Sequence, residues 1–341
     1  MSDSIIRVAI VGTGIMAKTH ARILAQEHRA LLVAWVSRTQ TEPLPEFPDV
    51  PVFDDVHVMA ATVHPAMVIV ATPDFAHVDA AISAAQEGCH VLVEKPLATS
   101  GADAERISAA VSDAGVQCMT LFNQRWAPPS WEAKRALAGE EAGRPVMAYA
   151  RKNDTIFVPT EMIGWAAKSS PSWFLSSHDI DLVTWLIGQT PTSVYASASA
   201  GILSARGINT VDAVHAQVRF AGGAIATFES CWVVPNGYPA VVESFVEVVS
   251  EHRIVHLDRK IEQLEIADDE RMHYPRTAGA TVGDRIVGPV VSAISHFLDV
   301  VEGVAQPLIP VEHSVGVTWL LEAIERSYTT GRPVTLSDGR L

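Results

Sequence analysis

Ile5-Ile6-Arg7-Val8-Ala9-Ile10-Val11-Gly12-Thr13-Gly14-Ile15-Met16-Ala17 decides how the rest of the chain is read. Residues 5–11 are an apolar, β-branched run of strand length, and helical spacing begins at Ile15 and continues to 27. A G-x-G-x-x-A between a strand and a helix is the fingerprint of a dinucleotide-binding βαβ unit. Gly12 permits the tight turn, Gly14 lets the backbone approach a pyrophosphate, and Ala17 allows close helix–strand packing. Thr13, Ile15 and Met16 complete the loop. An anion seated there meets free N–H groups and the positive end of the helix dipole.

The next strand, 31–37, bears on cofactor choice. NAD sites usually carry an acid about twenty residues after the fingerprint, bonded to the ribose 2′-hydroxyl. Here the strand ends in Ser37-Arg38-Thr39, without a carboxylate. Ser37 and Thr39 can donate to a 2′-phosphate, and Arg38 can stack on adenine and pair with that phosphate. NADP is the expected cofactor, with NAD the alternative.

Outward from this unit the rhythm continues. Strands are expected at 67–71, 90–94 and 117–122, and helices at 77–87 and 101–114. Pro43, Pro45, Pro48 and Pro51 exclude regular structure between them. Alternating strands and helices require right-handed crossovers and a parallel sheet covered on both faces. After Asn123 the pattern changes. A connecting helix is expected at 126–138, then hairpins at 213–220 with 224–232 and 245–250 with 254–258. A helix at 177–187 interrupts them, two more lie at about 290–303 and 313–328, and 268–288, with Tyr274 and Arg276, reads as a loop. The expected fold class is α/β plus α+β. A Rossmann domain spans 1–125, and a largely antiparallel open sheet with helices on one face spans 126–341.

The chain has 341 residues, 48% of them hydrophobic, a formal charge of -14 and a pI near 5.3. That balance argues against nucleic acid and anionic membrane as partners, which need a basic face. No apolar run approaches the roughly 18 residues of a membrane span, and Met1-Ser2-Asp3-Ser4 lacks the basic start of a signal peptide. Cys89, Cys118 and Cys231 show neither metal spacing nor a disulfide framework. A cytoplasmic enzyme with reduced thiols, no metal and a small-molecule substrate is expected.

Val91-Leu92-Val93-Glu94-Lys95-Pro96 places a lysine at the end of a buried parallel strand, where open α/β sheets bind ligands. Desolvation there makes its ammonium a tunable proton donor or acceptor, and Pro96 fixes the turn after it. Glu94 either orients Lys95 or points away to pair with a helix. Alternation along a strand favours the second. His178 and Asp181 share one face at the start of the 177–187 helix and could present an imidazole and a carboxylate to a polyol. Ser176 or Ser177 would cap that helix, with Asp179 complementing its dipole.

Taken together, the fingerprint, Ala71-Thr72-Pro73-Asp74-Phe75-Ala76-His77, the run Gly88-Cys89-His90 through Pro96, Phe122-Asn123-Gln124-Arg125-Trp126 and His178-Asp179-Ile180-Asp181 resemble one family over almost the whole chain. It is the glucose–fructose oxidoreductase, inositol dehydrogenase and rhizopine catabolism (Gfo/Idh/MocA) family. The resemblance implies hydride transfer between nicotinamide and a sugar, cyclitol or related polyol. It implies Lys95 and His178 as catalytic residues and Asp181 as a substrate contact. Thr72, Pro73 and His77 would line the cofactor cleft, as would Glu94 beside Lys95, with Asn123 and Arg125 near the nicotinamide.

One departure stands out. Inositol-dehydrogenase-like members carry an aspartate four residues before the histidine, where this chain has Phe174. A phenyl ring neither relays a proton nor fixes a histidine tautomer, so that enzyme's substrate does not carry over. Reduction or oxidation of a non-sugar such as a dihydrodiol or a tetrapyrrole, and a dinucleotide-sensing regulator without turnover, are the competing readings. In 154–173, Trp165 could cover the apolar face of a sugar or tuck into the core, as could Trp173. Arg151, Lys152 and Asn153 could meet a carboxylate or phosphate on the substrate. The sheet face without helices implies a homodimer or homotetramer.

Overall fold

Each apolar run expected as a strand between residues 5 and 122 is one in the structure, a computed structural model that describes residues 5–259, 264–274 and 280–341. The elements run β1 (Ile6–Val11), α1 (Ile15–Ala25), β2 (Ala30–Val36), β3 (Val52–Phe53), α2 (Val56–Val63), β4 (Met67–Val70), α3 (His77–Gln86), β5 (His90–Val93), α4 (Gly101–Ala114) and β6 (Cys118–Thr120). All six strands pair in parallel, in the order β3-β2-β1-β4-β5-β6. β4 is buried at all four positions, as a sheet covered on both faces demands. No helix or strand forms from Ser37 to Pro51, where the prolines stand. β3 and α2 were not expected. α2 begins at Asp55, whose carboxylate accepts the N–H groups of His57 and Val58.

The second unit begins with α5 (Pro128–Ala136) and β7 (Pro145–Thr155), followed by α6 (Ser177–Ile187) and β8 (Pro191–Ser199). The hairpins β9 (Ala213–Phe220)–β10 (Ile225–Val234) and β11 (Val242–Ser250)–β12 (Ile254–Asp258) follow. These strands form one sheet, β12-β11-β7-β10-β9-β8, edged by Val334–Thr335. Its pairs are antiparallel except one: β7 runs parallel to β10. β7 enters mid-sheet from a connecting helix rather than from a hairpin. Along β9, Val214, Ala216, Val218 and Phe220 are buried while His215, Gln217 and Arg219 are exposed. One face of the sheet is core and the other is open.

Helices α7 (Pro289–Val301) and α8 (Val311–Thr330) close the chain. The domain boundaries differ from expectation. Residues 280–315 belong with 5–123, not with the second unit, which comprises 124–259, 264–274 and 316–341. α7 buries Val290, Ala293, Ile294, Phe297 and Leu298, an amphipathic stripe. Arg29 ties it to the first unit through Asp299 at 2.5 Å and Glu302 at 3.0 Å. The expected loop 268–288 instead carries parts of two small hairpins, Ile266–Ala267 with Met272–His273 and Thr281–Val282 with Arg285–Ile286. Arg276 and residues 1–4 lie outside the described residues.

Candidate active site

Gly12 adopts a φ of +108°, and a Cβ there would lie 2.5 Å from the Ala71 carbonyl oxygen. The fingerprint's first glycine is therefore required by the close passage of β4's end as well as by the turn. Gly14 is the extended N-cap of α1. No side chain caps this helix, no acid stands in its first turn, and a Cβ on Gly14 would meet nothing within 4 Å. First-turn N–H groups without a side-chain cap, beside open space, fit the diphosphate of a dinucleotide. Ile15 and Met16 are exposed alongside, and Thr13 is half-buried. At the end of β2, the Ser37 hydroxyl oxygen accepts the N–H groups of Thr39 and Gln40, and Arg38 and Thr39 are exposed.

His77 corrects one expectation. It does not line an open cleft; it is 1% exposed, with Nδ1 2.7 Å from the Pro96 carbonyl oxygen and Nε2 3.0 Å from that of Thr72. Burial lowers its pKa against the opposing pull of those two carbonyls. The ring joins the segment after β4 to the segment after β5. Thr72 and Pro73 are half-buried beside it, and the Thr72 hydroxyl has no hydrogen-bond partner.

Lys95 is half-buried just past the end of β5. Glu94 points away to a helix, as alternation favoured: its Oε1 lies 2.8 Å from Nε2 of His20, on α1. Its Oε2 accepts the Lys95 backbone N–H at 3.2 Å. His20 is fully buried and was missed in the sequence. The signal that could have found it is a histidine on the apolar face of the fingerprint helix.

In the second unit, α6 does not start as expected. A π-helical turn, Ser172–Ser176, runs directly into it, so neither Ser176 nor Ser177 caps it, and the buried Ser177 hydroxyl has no hydrogen-bond partner. His178 is half-buried between buried neighbours. Asp181, one turn on, is fully buried and takes Arg125 in a two-pronged ion pair, Nη2–Oδ1 2.6 Å and Nε–Oδ2 3.0 Å. The two residues assigned to substrate and nicotinamide are thus given to each other, and the guanidinium also lies 5.2 Å over the Trp185 ring. Asn123, at the end of the first unit, is half-buried.

Strand alternation also redistributes 151–153. Arg151 pairs with Glu243 at 2.6 Å, and the Asn153 amide donates to Glu229 at 2.8 Å, both on the open face. Lys152 turns to the opposite face and its charge acts on Asp179, which is 1% exposed. Burial raises the Asp179 pKa, against Lys152 and Arg259, whose Nη2 stands 3.2 Å from Oδ1. Phe174 and Trp165 meet edge to face, 5.8 Å between centroids, and pack on a buried cluster containing Leu175, Leu203 and Trp232. Trp165 and Phe174 are thereby aromatic packing residues. Trp173 is buried with its indole N–H on Glu325. Among the described residues no cluster of His, Cys, Asp and Glu could hold a metal, and no helix is long and apolar enough to cross a membrane.

A parallel sheet in this strand order, with a fingerprint helix shaped for a diphosphate and a lysine closing β5, defines a Rossmann-type dinucleotide-dependent oxidoreductase. The chain belongs to the Gfo/Idh/MocA family: residues 6–122 match its model of an oxidoreductase family with an NAD-binding Rossmann fold, and 130–255 match its C-terminal domain. Scyllo-inositol 2-dehydrogenase (NAD(+)) of Bacillus subtilis is 27% identical over 284 residues, 79% of this chain and 77% of that protein. Inositol 2-dehydrogenase of Rubrobacter xylanophilus is 27% identical over 256 residues, 74% of this chain and 71% of its own. Among solved structures, myo-inositol 2-dehydrogenase from Lactobacillus plantarum superposes with a TM-score of 0.83 at 20% identity, covering 98% of this chain and 100% of the other. Scyllo-inositol dehydrogenase from Lactobacillus casei, with bound NAD(H) and scyllo-inositol, gives 0.82 at 18% identity over 97% and 99%. These structural likenesses establish the fold.

Proposed function

We propose that the protein transfers a hydride between nicotinamide and a carbinol carbon of a sugar, cyclitol or related polyol, with Lys95 exchanging the hydroxyl proton and His178 assisting. The observation that carries this is Lys95 itself, fixed at the carboxyl end of β5 by bonds to the residues on either side of it. The dinucleotide supplies the hydride chemistry. In the oxidative direction, neutral Lys95 Nζ takes the hydroxyl proton as the C–H hydride leaves; in reduction the ammonium returns it. The names of the relatives at 27% identity support a polyhydroxylated substrate.

NADP is the preferred cofactor in this reading, with NAD accepted. Support comes from the end of β2, where Ser37-Arg38-Thr39 offers donors and a cation and no carboxylate. Tryptophan emission should be quenched by NADPH at lower concentration than by NADH, and oxidation of a panel of cyclitols and aldoses should raise the absorbance of reduced nicotinamide. Tighter binding of NADH reverses the cofactor assignment. Phe174 favours a second reading, in which cofactor binds but no polyol is oxidised. Quenching without turnover across the panel is its signature.

A second copy of the chain is the partner for the sheet's open face. Met147, Ile225 and Ile254 share one row of that face across β7, β10 and β12, with Tyr195 two positions along on β8, and the four are between 42% and 55% exposed. An exposed apolar row of this kind, set among polar side chains, calls for cover. Sedimentation velocity should give a dimer or tetramer. Met147→Glu with Ile225→Glu should give monomer, and a monomeric parent protein ends the reading.

A further inference from the structure

Two buried imidazoles hold the chain on either side of Lys95. Behind it, His20 on the fingerprint helix α1 takes the Glu94 carboxylate at 2.8 Å, and that carboxylate also receives the Lys95 backbone N–H. Ahead of it, His77 contacts the Pro96 carbonyl at 2.7 Å. His20 is fully buried and Glu94 is 9% exposed. His20 Nδ1 has no hydrogen-bond partner, which fits the tautomer whose Nε2–H donates to Glu94. A buried carboxylate is costly unless it is paired and hydrogen-bonded.

We propose that His20 and Glu94 are positioning residues for Lys95: the imidazole on α1 pins the carboxylate, and the carboxylate fixes the backbone of Lys95 and holds a negative charge within electrostatic reach of its ammonium. This rests on the role assigned to Lys95 under Proposed function. Burial pushes the Glu94 carboxyl up, but the His20 hydrogen bond, the charge of Lys95 and the Lys95 backbone N–H outweigh it and hold the group below its ordinary range. The anion is therefore present at neutral pH. Other titratable groups face it from the segment after β4, where His77 and, through His77, Asp74 are electrostatically coupled to the site. The arrangement ties the helix that receives the diphosphate to the strand end that carries the proton-transfer group.

The test titrates Lys95 directly, without a substrate. The chain has six lysines, so reductive dimethylation with a carbon-13 label gives a short list of methyl signals, and Lys95→Arg identifies its own by loss. Glu94→Gln keeps the shape and removes the charge. The ammonium then loses a stabilising neighbour, so the Lys95 midpoint should move towards acid by about half a pH unit or more. His20→Gln, whose amide can still donate to Glu94, should keep the wild-type midpoint. His20→Leu frees the carboxylate and should shift the midpoint towards the Glu94→Gln value. An unmoved midpoint in Glu94→Gln overturns the proposal, and if His20→Leu does not fold, Glu94→Gln alone decides. Turnover of Lys95→Ala separates the two ideas. Retained turnover removes the catalytic role of Lys95 and the purpose of the tether with it. Lost turnover with an unmoved midpoint removes the tether alone.

Discussion

Lys95→Ala should lower turnover by about 100-fold or more while leaving the affinity for the dinucleotide little changed. The expectation follows from position and chemistry together. Hydride departure from a carbinol carbon leaves a carbonyl only if the hydroxyl proton goes somewhere in the same event. Lys95 is the amine just beyond the end of β5, on the edge of the sheet where ligands bind in open α/β folds. In the proposed reading the diphosphate end of the cofactor sits elsewhere, at the Gly12–Gly14 turn and the start of α1. Binding and proton transfer should therefore separate in the variant: tryptophan quenching by NADPH stays, and the rate of nicotinamide reduction falls. The pH dependence should flatten as well, because the group whose neutral form is needed has gone. Near-wild-type turnover removes Lys95 from the chemistry. A parallel loss of cofactor affinity would make it a binding residue instead.

Much of this unit could be read from residues because its signals are local. β-branched runs, a glycine turn and helical spacing each span a few positions, and β1, β2, β4, β5 and β6 lie within a few residues of where those signals put them. α2 was hidden because Val56–Val63 is short and mixes β-branched residues with alanine, although Asp55 carries a cap signal. β8 escaped because Pro191–Ser199 is mostly small and polar. The parallel pairing of β7 with β10 depends on residues about 80 positions apart, which no local pattern encodes. Register matters in the same way for Arg151 and Asn153. A strand's alternation tells which residues share a face, but only the neighbours tell which face is covered, and here Lys152 and not its flanking residues turns to the helix side. The candidate site divides likewise. The turn after β1 and the place of Lys95 past the end of β5 were legible, whereas the contacts around them, His20 on Glu94 and the carbonyls facing His77, come from elements far along the chain.

Asp181→Asn should destabilise the second unit by about 3–5 kcal/mol, the cost of stranding a buried guanidinium. Asp181 is fully buried and Arg125 is 2% exposed, and their two contacts of 2.6 and 3.0 Å form a planar fork that asparagine cannot reproduce with charge. Lys134 stands close enough for Arg125 to depress its pKa further, below what burial alone gives, so a second cation feels the guanidinium as well. Losing the carboxylate leaves both cations around Trp185 without that counter-charge. At the usual slope of roughly 2–4 °C per kcal/mol, the melting temperature should fall by about 10 °C. Arg125→Met should cost a similar amount, and the double variant Arg125→Met with Asp181→Leu should recover most of the loss, because replacing a buried pair by apolar groups is far cheaper than breaking it. The substrate-contact role implied by the family resemblance makes the opposite prediction for the same variant: Asp181→Asn would then raise KM and leave the melting temperature unchanged. Calorimetry and steady-state kinetics on Asp181→Asn therefore decide whether this acid acts on the substrate or on the fold. The buried, two-pronged contact with Arg125 is the reason to expect the stability result.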